Sequence, residues 1–258
     1  MDLTPRLGFT AFLDEASCRL QGGGQWTPGP PDVRALEAMR PVLADPAAQG
    51  PAELYFMYRG AGPAAPQAGA RRRGLRYDLT VLRPGLVGRE YVKTFGHEHP
   101  AAPDGIAYPE LYQVAAGRAW FILQDRRTVL VIAAGPGDCV LIPPGFGHVT
   151  VNVGPGPLVL ANWVDGGFTS LYDGYRQRRG AAVYVEAGSG GPVLRSNPAY
   201  HPAPAVRWGA PTPPDLVGLQ EPGEPIFTAV CRDPDRFAYL CRPAAAAALW
   251  ARLDEYDG

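Results

Sequence analysis

The chain has 258 residues, which suits one sizeable domain with an appendage, and 46% of them are apolar, enough for a proper core. Its 32 glycines and 29 prolines argue against a helical bundle and for short strands joined by tight turns. A formal net charge of −1 leaves no broad basic field for nucleic acid or an anionic membrane, so an anionic ligand would need a local site.

Residues 1–31 form a mixed N-terminal extension that ends in a QGGGQWTPGPP loop. The opening stretch lacks the basic and apolar regions of a signal peptide. No apolar run reaches the roughly 20 residues needed to span a bilayer. The four cysteines, Cys18, Cys139, Cys231 and Cys241, form no CxxC pair and read as buried thiols in a reducing compartment. The expectation is a cytoplasmic protein.

Asp32 stands where it can cap a helix over VRALEAMRPVLAD, with Val33, Leu36 and Met39 at helical spacing and Pro41 to kink or end it. ELYFMYRG then reads as a strand with Tyr55 and Tyr58. Residues 59–76 are a Gly/Ala/Pro loop ending in Arg71, Arg72, Arg73 and Arg76. Those arginines read as solvated, or in a sharper reading as a phosphate-facing rim.

From Tyr77 the texture changes. YDLTVL, REYVKTFGH, ELYQVAAG, AWFILQ, TVLVIAAG, CVLIPPG, HVTVNV and PLVLANWV are short strand-like runs separated by Gly, Pro and Asp turns, with GPGD at 135–138 the clearest turn. That pattern predicts an antiparallel sandwich or barrel. After Trp208 comes the Pro-rich GAPTPPD, a linker or an extended surface strap. IFTAVC and FAYLC read as strands of a hairpin across RDPDR, and AAAAALWARLDEY as a terminal helix. The three regions are thus 1–31, a barrel domain with its preceding helix over 32–208, and a tail over 209–258.

Three of the four histidines fall in the strand-rich region. His97 and His99 lie two apart, which on a strand places both imidazoles on one face. Glu110 and Tyr112 repeat that spacing, and so do His148, Thr150 and Asn152. If these strands line one barrel, three imidazoles and a carboxylate converge on a site suited to a first-row divalent ion. Glu98 should point away from its flanking histidines. An HxH pair alone is a weak signal, since a lone histidine on an apolar face is more often a hydrogen-bonded core residue. His201 lies outside the strands and has no expected role, and Cys139 belongs to a run expected to be core.

HEH at 97–99 with Glu110 and Gly117 resembles the first cupin motif. Gly137, Pro143, Gly145, His148 and Asn152 match the second. The interval PAAPDGIAYP between His99 and Glu110 is longer than usual and implies a loop insertion beside the site. Over roughly residues 32–208 the order and spacing are similar to the cupin-type glucose-6-phosphate isomerase family, most specifically in KTFGHEH, ELYQVAAG and PPGFGHVTVNVG.

The resemblance implies an all-β cupin barrel or jelly roll. It implies one divalent transition metal per chain on His97, His99, Glu110 and His148, with Fe²⁺ foremost and Mn²⁺, Ni²⁺ or Zn²⁺ as alternatives. Glu110, beside Tyr112, would either also move a proton between carbons one and two of the sugar through a cis-enediol or, with a hydride shift, serve as ligand only. Thr80, Thr94 and Gly96 would receive the phosphate, Tyr172 would close over it, and Tyr58 would be a further active-site tyrosine. The family's second phosphate-side tyrosine is replaced by Val164. A homodimer is expected, with a sugar phosphate as substrate. Two rivals share the ligand set: a metal-dependent cupin dioxygenase, which needs an apolar or thiol substrate pocket, and a non-catalytic sugar-binding cupin.

Overall fold

The structure, a computed structural model, describes residues 1–256. An N-terminal hairpin of β1 (Ala11–Asp14) and β2 (Arg19–Gly22) precedes β3 (Asp32–Ala35), β4 (Glu53–Tyr58) and β5 (Leu75–Leu82). The short β6 (Leu86–Val87) and β7 (Glu90–Tyr91) lead into the histidine pair. Then come β8 (Glu110–Ala116), β9 (Ala119–Gln124), β10 (Thr128–Ala134), β11 (Cys139–Ile142), β12 (Gly147–Asn152) and β13 (Leu158–Asp165). A hairpin of β14 (Val183–Gly188) and β15 (Gly191–Ser196) and the edge strand β16 (Ala205–Gly209) complete the strands.

Two sheets enclose the core. One has the order β11-β8-β13-β5-β4-β3 and the other β12-β9-β10-β16, antiparallel except where β16 runs parallel to β10. This is the antiparallel barrel that the turn-punctuated runs predict and that the cupin resemblance implies. The GPGD turn closes as expected: Asp138 N–H donates to the Gly135 carbonyl at 3.0 Å, and Gly137 takes φ +97°, where a side chain would be strained.

Apart from its edge strand β3, the six-stranded sheet is buried on both faces. Along β5 the odd residues Tyr77, Leu79 and Val81 face outward, while Arg76, Asp78 and Thr80 face inward, the period of two that a strand imposes. Tyr112, Val114, Leu158 and Leu160 face the barrel interior with Phe121, Val149 and Val151 of the opposing sheet. The outer face carries Phe56, Leu111, Val159, Ala161 and Trp163. Both chain ends cover it: Phe9 packs on Phe227 and Tyr77 with ring centroids 4.6 and 6.2 Å apart, and Trp163 Nε1 donates to the Ile226 carbonyl at 3.0 Å.

Two expectations fail here. Asp32 caps no helix, because Asp32–Ala35 pairs with β4 as an edge strand, and the helix that follows is the single turn Leu36–Met39 before a 3₁₀ turn over Arg40–Val42. The IFTAVC and FAYLC hairpin does not form. Ile226–Arg232 is a helix and Pro234–Leu240 a 3₁₀ turn. Ile226, Phe227, Ala229 and Val230 are the buried positions, a helical spacing set by docking on the outer sheet face rather than by the β-branched composition. The Pro-rich stretch is a strap: Thr212 N–H donates to the Cys139 carbonyl at 2.8 Å and Thr212 Oγ1 accepts from Leu141 N–H at 3.0 Å, covering the β11 edge. The terminal helix spans Ala247–Tyr256 as expected. No described helix is long and apolar enough to cross a membrane.

Candidate metal centre and substrate cavity

The segment 92–98 runs beside β12. His97 and His148 exchange backbone hydrogen bonds of 3.3 and 3.0 Å, which puts their imidazoles side by side with centroids 4.3 Å apart. β8 brings Glu110 to the same place. One ligand atom from each of His97, His99, Glu110 and His148 lies within 4.8 Å of the others. Glu98 is exposed and pairs by its backbone with Leu171, as its parity requires.

Each group is oriented from behind. His97 Nδ1 donates to the Phe95 carbonyl at 3.3 Å and His99 Nδ1 to the Tyr108 carbonyl at 2.9 Å. A carbonyl can only accept, so both Nδ1 atoms carry the proton and both Nε2 atoms present a lone pair. Glu110 Oε1 accepts from Asn162 Nδ2 at 2.6 Å. Its Oε2 lies 3.3 Å from both His99 Nε2 and His148 Nε2, is buried and has no hydrogen-bond partner. Electron-rich atoms facing one another in a buried site call for a cation between them. A set of three imidazole nitrogens and one carboxylate oxygen fits a first-row divalent ion.

The electrostatics favour the metal-ready forms. Burial, with His148 and His99 as neighbours, holds the His97 imidazole well below its ordinary range, and burial lowers that of His148. Burial pushes the Glu110 carboxyl up, but the neighbouring His148 and His99 outweigh it and hold it well below the usual carboxylate range. Burial and then the Glu110 charge push the Tyr112 phenol well up, so it stays a neutral O–H, 3.3 Å from His148 Nε2.

The cluster opens into a cavity lined by Tyr55, Thr80, Thr94, Tyr112, Asn162 and Tyr172, together with Arg59, Arg76, Val164 and Phe168. Of the expected substrate residues, Thr80, Thr94 and Tyr172 line this cavity. Two expected residues do not. Tyr58 is on the outer sheet face, with its hydroxyl accepting from Leu20 N–H at 3.0 Å. Its neighbour of opposite parity, Tyr55, lines the cavity instead and accepts from Phe95 N–H at 3.0 Å. Gly96 is not part of the lining: a Cβ there would lie 2.1 Å from the Tyr175 ring, so its small size serves that packing. Lys93 points away from the cavity, as its alternation with Thr94 implies, and its ammonium donates to Glu90 and to the Val42 carbonyl.

The sequence reading missed Asn162, Arg59 and Asp78 and left Arg76 undecided. Counting by two from Thr80 back to Asp78 and Arg76 would have found two of them. The inserted loop also serves the site. Tyr108, whose carbonyl holds His99, stacks on Phe168 at 4.8 Å, and Phe168 packs on the His99 ring at 4.6 Å.

The glucose-6-phosphate isomerase (GPI) family model matches residues 33–201, well over half of the chain. The glucose-6-phosphate isomerase of Thermococcus litoralis is 28% identical over 182 residues, 65% of this chain and 86% of that protein. That of Thermococcus kodakarensis is 40% identical over 86 residues, 33% of this chain and 43% of that protein, so this match spans less than half of the relative's length. Among solved structures, a Bacillus subtilis oxalate decarboxylase is matched over 49% of this chain and 30% of that chain at 17% identity and a TM-score of 0.35, too low a likeness to carry an argument. On the family match across its barrel, the chain belongs to the glucose-6-phosphate isomerase family, in its cupin form.

Proposed function

We propose that the protein interconverts glucose 6-phosphate and fructose 6-phosphate with one divalent transition metal held by His97, His99, Glu110 and His148. The observation that carries this reading is the unpartnered Glu110 Oε2 facing two histidine Nε2 atoms at the edge of a cavity lined by hydroxyls and guanidiniums. When bound, the metal supplies Lewis-acid polarisation of the sugar carbonyl.

Starting from the ketose, a proton leaves C1 and returns to C2, and a hydroxyl proton passes from O1 to O2. Glu110 is the carboxylate beside the reacting end and the candidate to carry the C1 proton. Asn162 fixes its orientation, and the neutral Tyr112 hydroxyl is the nearby donor for the developing O2 hydroxyl. Thr80, Thr94 and Tyr172 present hydroxyls to the distal part of the sugar. A dioxygenase would need an apolar pocket, and the polar and cationic lining favours the sugar phosphate.

Fe²⁺ as the native ion, a homodimer and a cytoplasmic setting belong to the same proposal. Such a dimer would use a surface other than the outer face of the six-stranded sheet, which this chain's own ends cover. The test is purified protein loaded with Fe²⁺, Mn²⁺, Ni²⁺ or Zn²⁺ and assayed with fructose 6-phosphate. Interconversion above background with at least one metal is expected. Failure with all four overturns the reading.

A further inference from the structure

We propose that Arg59 and Arg76, tethered together by the buried Asp78 carboxylate, form an anion-binding wall of the cavity that takes the phosphate of the sugar substrate. The proposal rests on the reading of this cavity as a sugar-phosphate site.

Asp78 is fully buried, yet both guanidiniums it holds line the cavity. Its Oδ2 accepts from Arg59 Nη1 at 2.7 Å and from Arg76 Nη2 at 2.9 Å, and its Oδ1 accepts from Arg76 Nε at 3.0 Å and from Gly60 N–H at 2.9 Å. One carboxylate thus draws two like charges together and leaves the wall with an excess of one positive charge. A buried carboxylate is costly unless its oxygens are satisfied, and here all of these bonds but the one from Gly60 come from guanidiniums that line the cavity. Arg76 Nη1 and Arg59 Nε are left without a protein acceptor among the described residues.

The sheet register places these groups. Arg76 pairs with Val164, which offers no donor, and Asp78 pairs with Asn162, the residue that holds Glu110. Thr80 follows two residues along on the same face. The wall therefore runs down β5 from guanidinium to hydroxyl, within one row of the carboxylate at the metal cluster. Neutral sugar hydroxyls need no paired cations, whereas a phosphate dianion is matched by planar guanidinium donors held in fixed orientation.

The test separates this proposal from the isomerase reading. Mn²⁺-loaded protein is titrated calorimetrically with sorbitol 6-phosphate, which has no carbonyl and cannot be isomerised, and with sorbitol. Wild type should bind the phosphate ester far more tightly than sorbitol. Arg76→Gln and Arg59→Gln each leave Asp78 one guanidinium, and each should weaken the ester about tenfold or more, the loss expected for a charge-assisted hydrogen bond. Sorbitol binding should not change. Should either variant lose its fold, Arg76→Lys and Arg59→Lys keep the charge without the fork and should bind at intermediate strength. Variants that fold, hold metal and bind the ester like wild type overturn the proposal, as does a wild type that fails to prefer the ester. Arginine-dependent ester binding without turnover of fructose 6-phosphate under any metal would sink the isomerase reading and leave the anion wall standing.

Discussion

Asn162 donates its side-chain amide to Glu110 Oε1 at 2.6 Å, and this bond decides which carboxylate oxygen is left for the histidines. Removing the amide as Asn162→Ala frees the carboxylate to rotate without putting a new charge in the site. Loss of a partner behind a metal ligand typically weakens metal binding about 10–100-fold. Competition titration against a chromophoric chelator should show a drop of that order, and an unchanged affinity would mean that the bond only fills space.

His148 contributes an imidazole to the ligand cluster and is almost wholly buried. His148→Ala should lose most of the metal from a wild type that carries close to one ion per chain. Metal analysis of dialysed protein reads this directly, and full retention in a variant with His97, His99 and His148 all replaced by alanine would refute the site.

Glu110→Gln separates a base from a ligand. If the carboxylate carries the proton, turnover of fructose 6-phosphate should fall about 10²–10⁴-fold at saturating metal. If it serves only as ligand, metal affinity falls and excess metal restores the rate. Steady-state rates across a metal titration distinguish the two.

Phe227 joins the tail to the barrel, packing on Phe9, Tyr77 and Trp163. It is 3% exposed, so Phe227→Ala should cost about 3–5 kcal/mol in urea unfolding. A loss below about 1 kcal/mol would show that the site collapses around the missing ring. Cutting the chain after Trp208 should do more damage, because it bares the outer sheet face.

Burial pushes the Cys139 thiol up from 9.0 to about 12. The neutral thiol is the form the fold tolerates, so its contribution is complete below about pH 9 and is lost as pH rises towards 12. Wild-type stability should therefore fall above pH 9. Cys139→Ala, which has no thiol to ionise, should fall less steeply by up to about 1.4 kcal/mol per pH unit. Parallel curves for the two proteins from pH 8 to 11 would refute this.

Much of the barrel and the convergence of His97, His99, Glu110 and His148 was legible because both rest on the shortest periodicity a chain can show. HxH, ExY and the outward parity of Glu98 need only the alternation of a strand. Tyr58 was misassigned by the same rule, since the sequence does not say which parity of ELYFMY faces inward, and only the pairing of Tyr55 with Leu82 fixes it. The tail was unreadable for another reason. The helical state of Ile226–Arg232 is imposed by Trp163, Gln113 and the rest of a surface that the local sequence does not contain.

β8 holds a ligand on one side and a fastening on the other. Glu110 and Tyr112 face the ion site, while Gln113 binds the Glu224 carbonyl at 2.9 Å and the Ile226 N–H at 3.0 Å. The buried tail positions Ile226 and Phe227 should therefore drift in evolution no faster than the barrel interior. A related barrel without such a tail would need different side chains at the positions of Leu111, Gln113 and Trp163, either polar ones or ones suited to another covering. Those three outward positions, not the histidines, would tell such a barrel from this one.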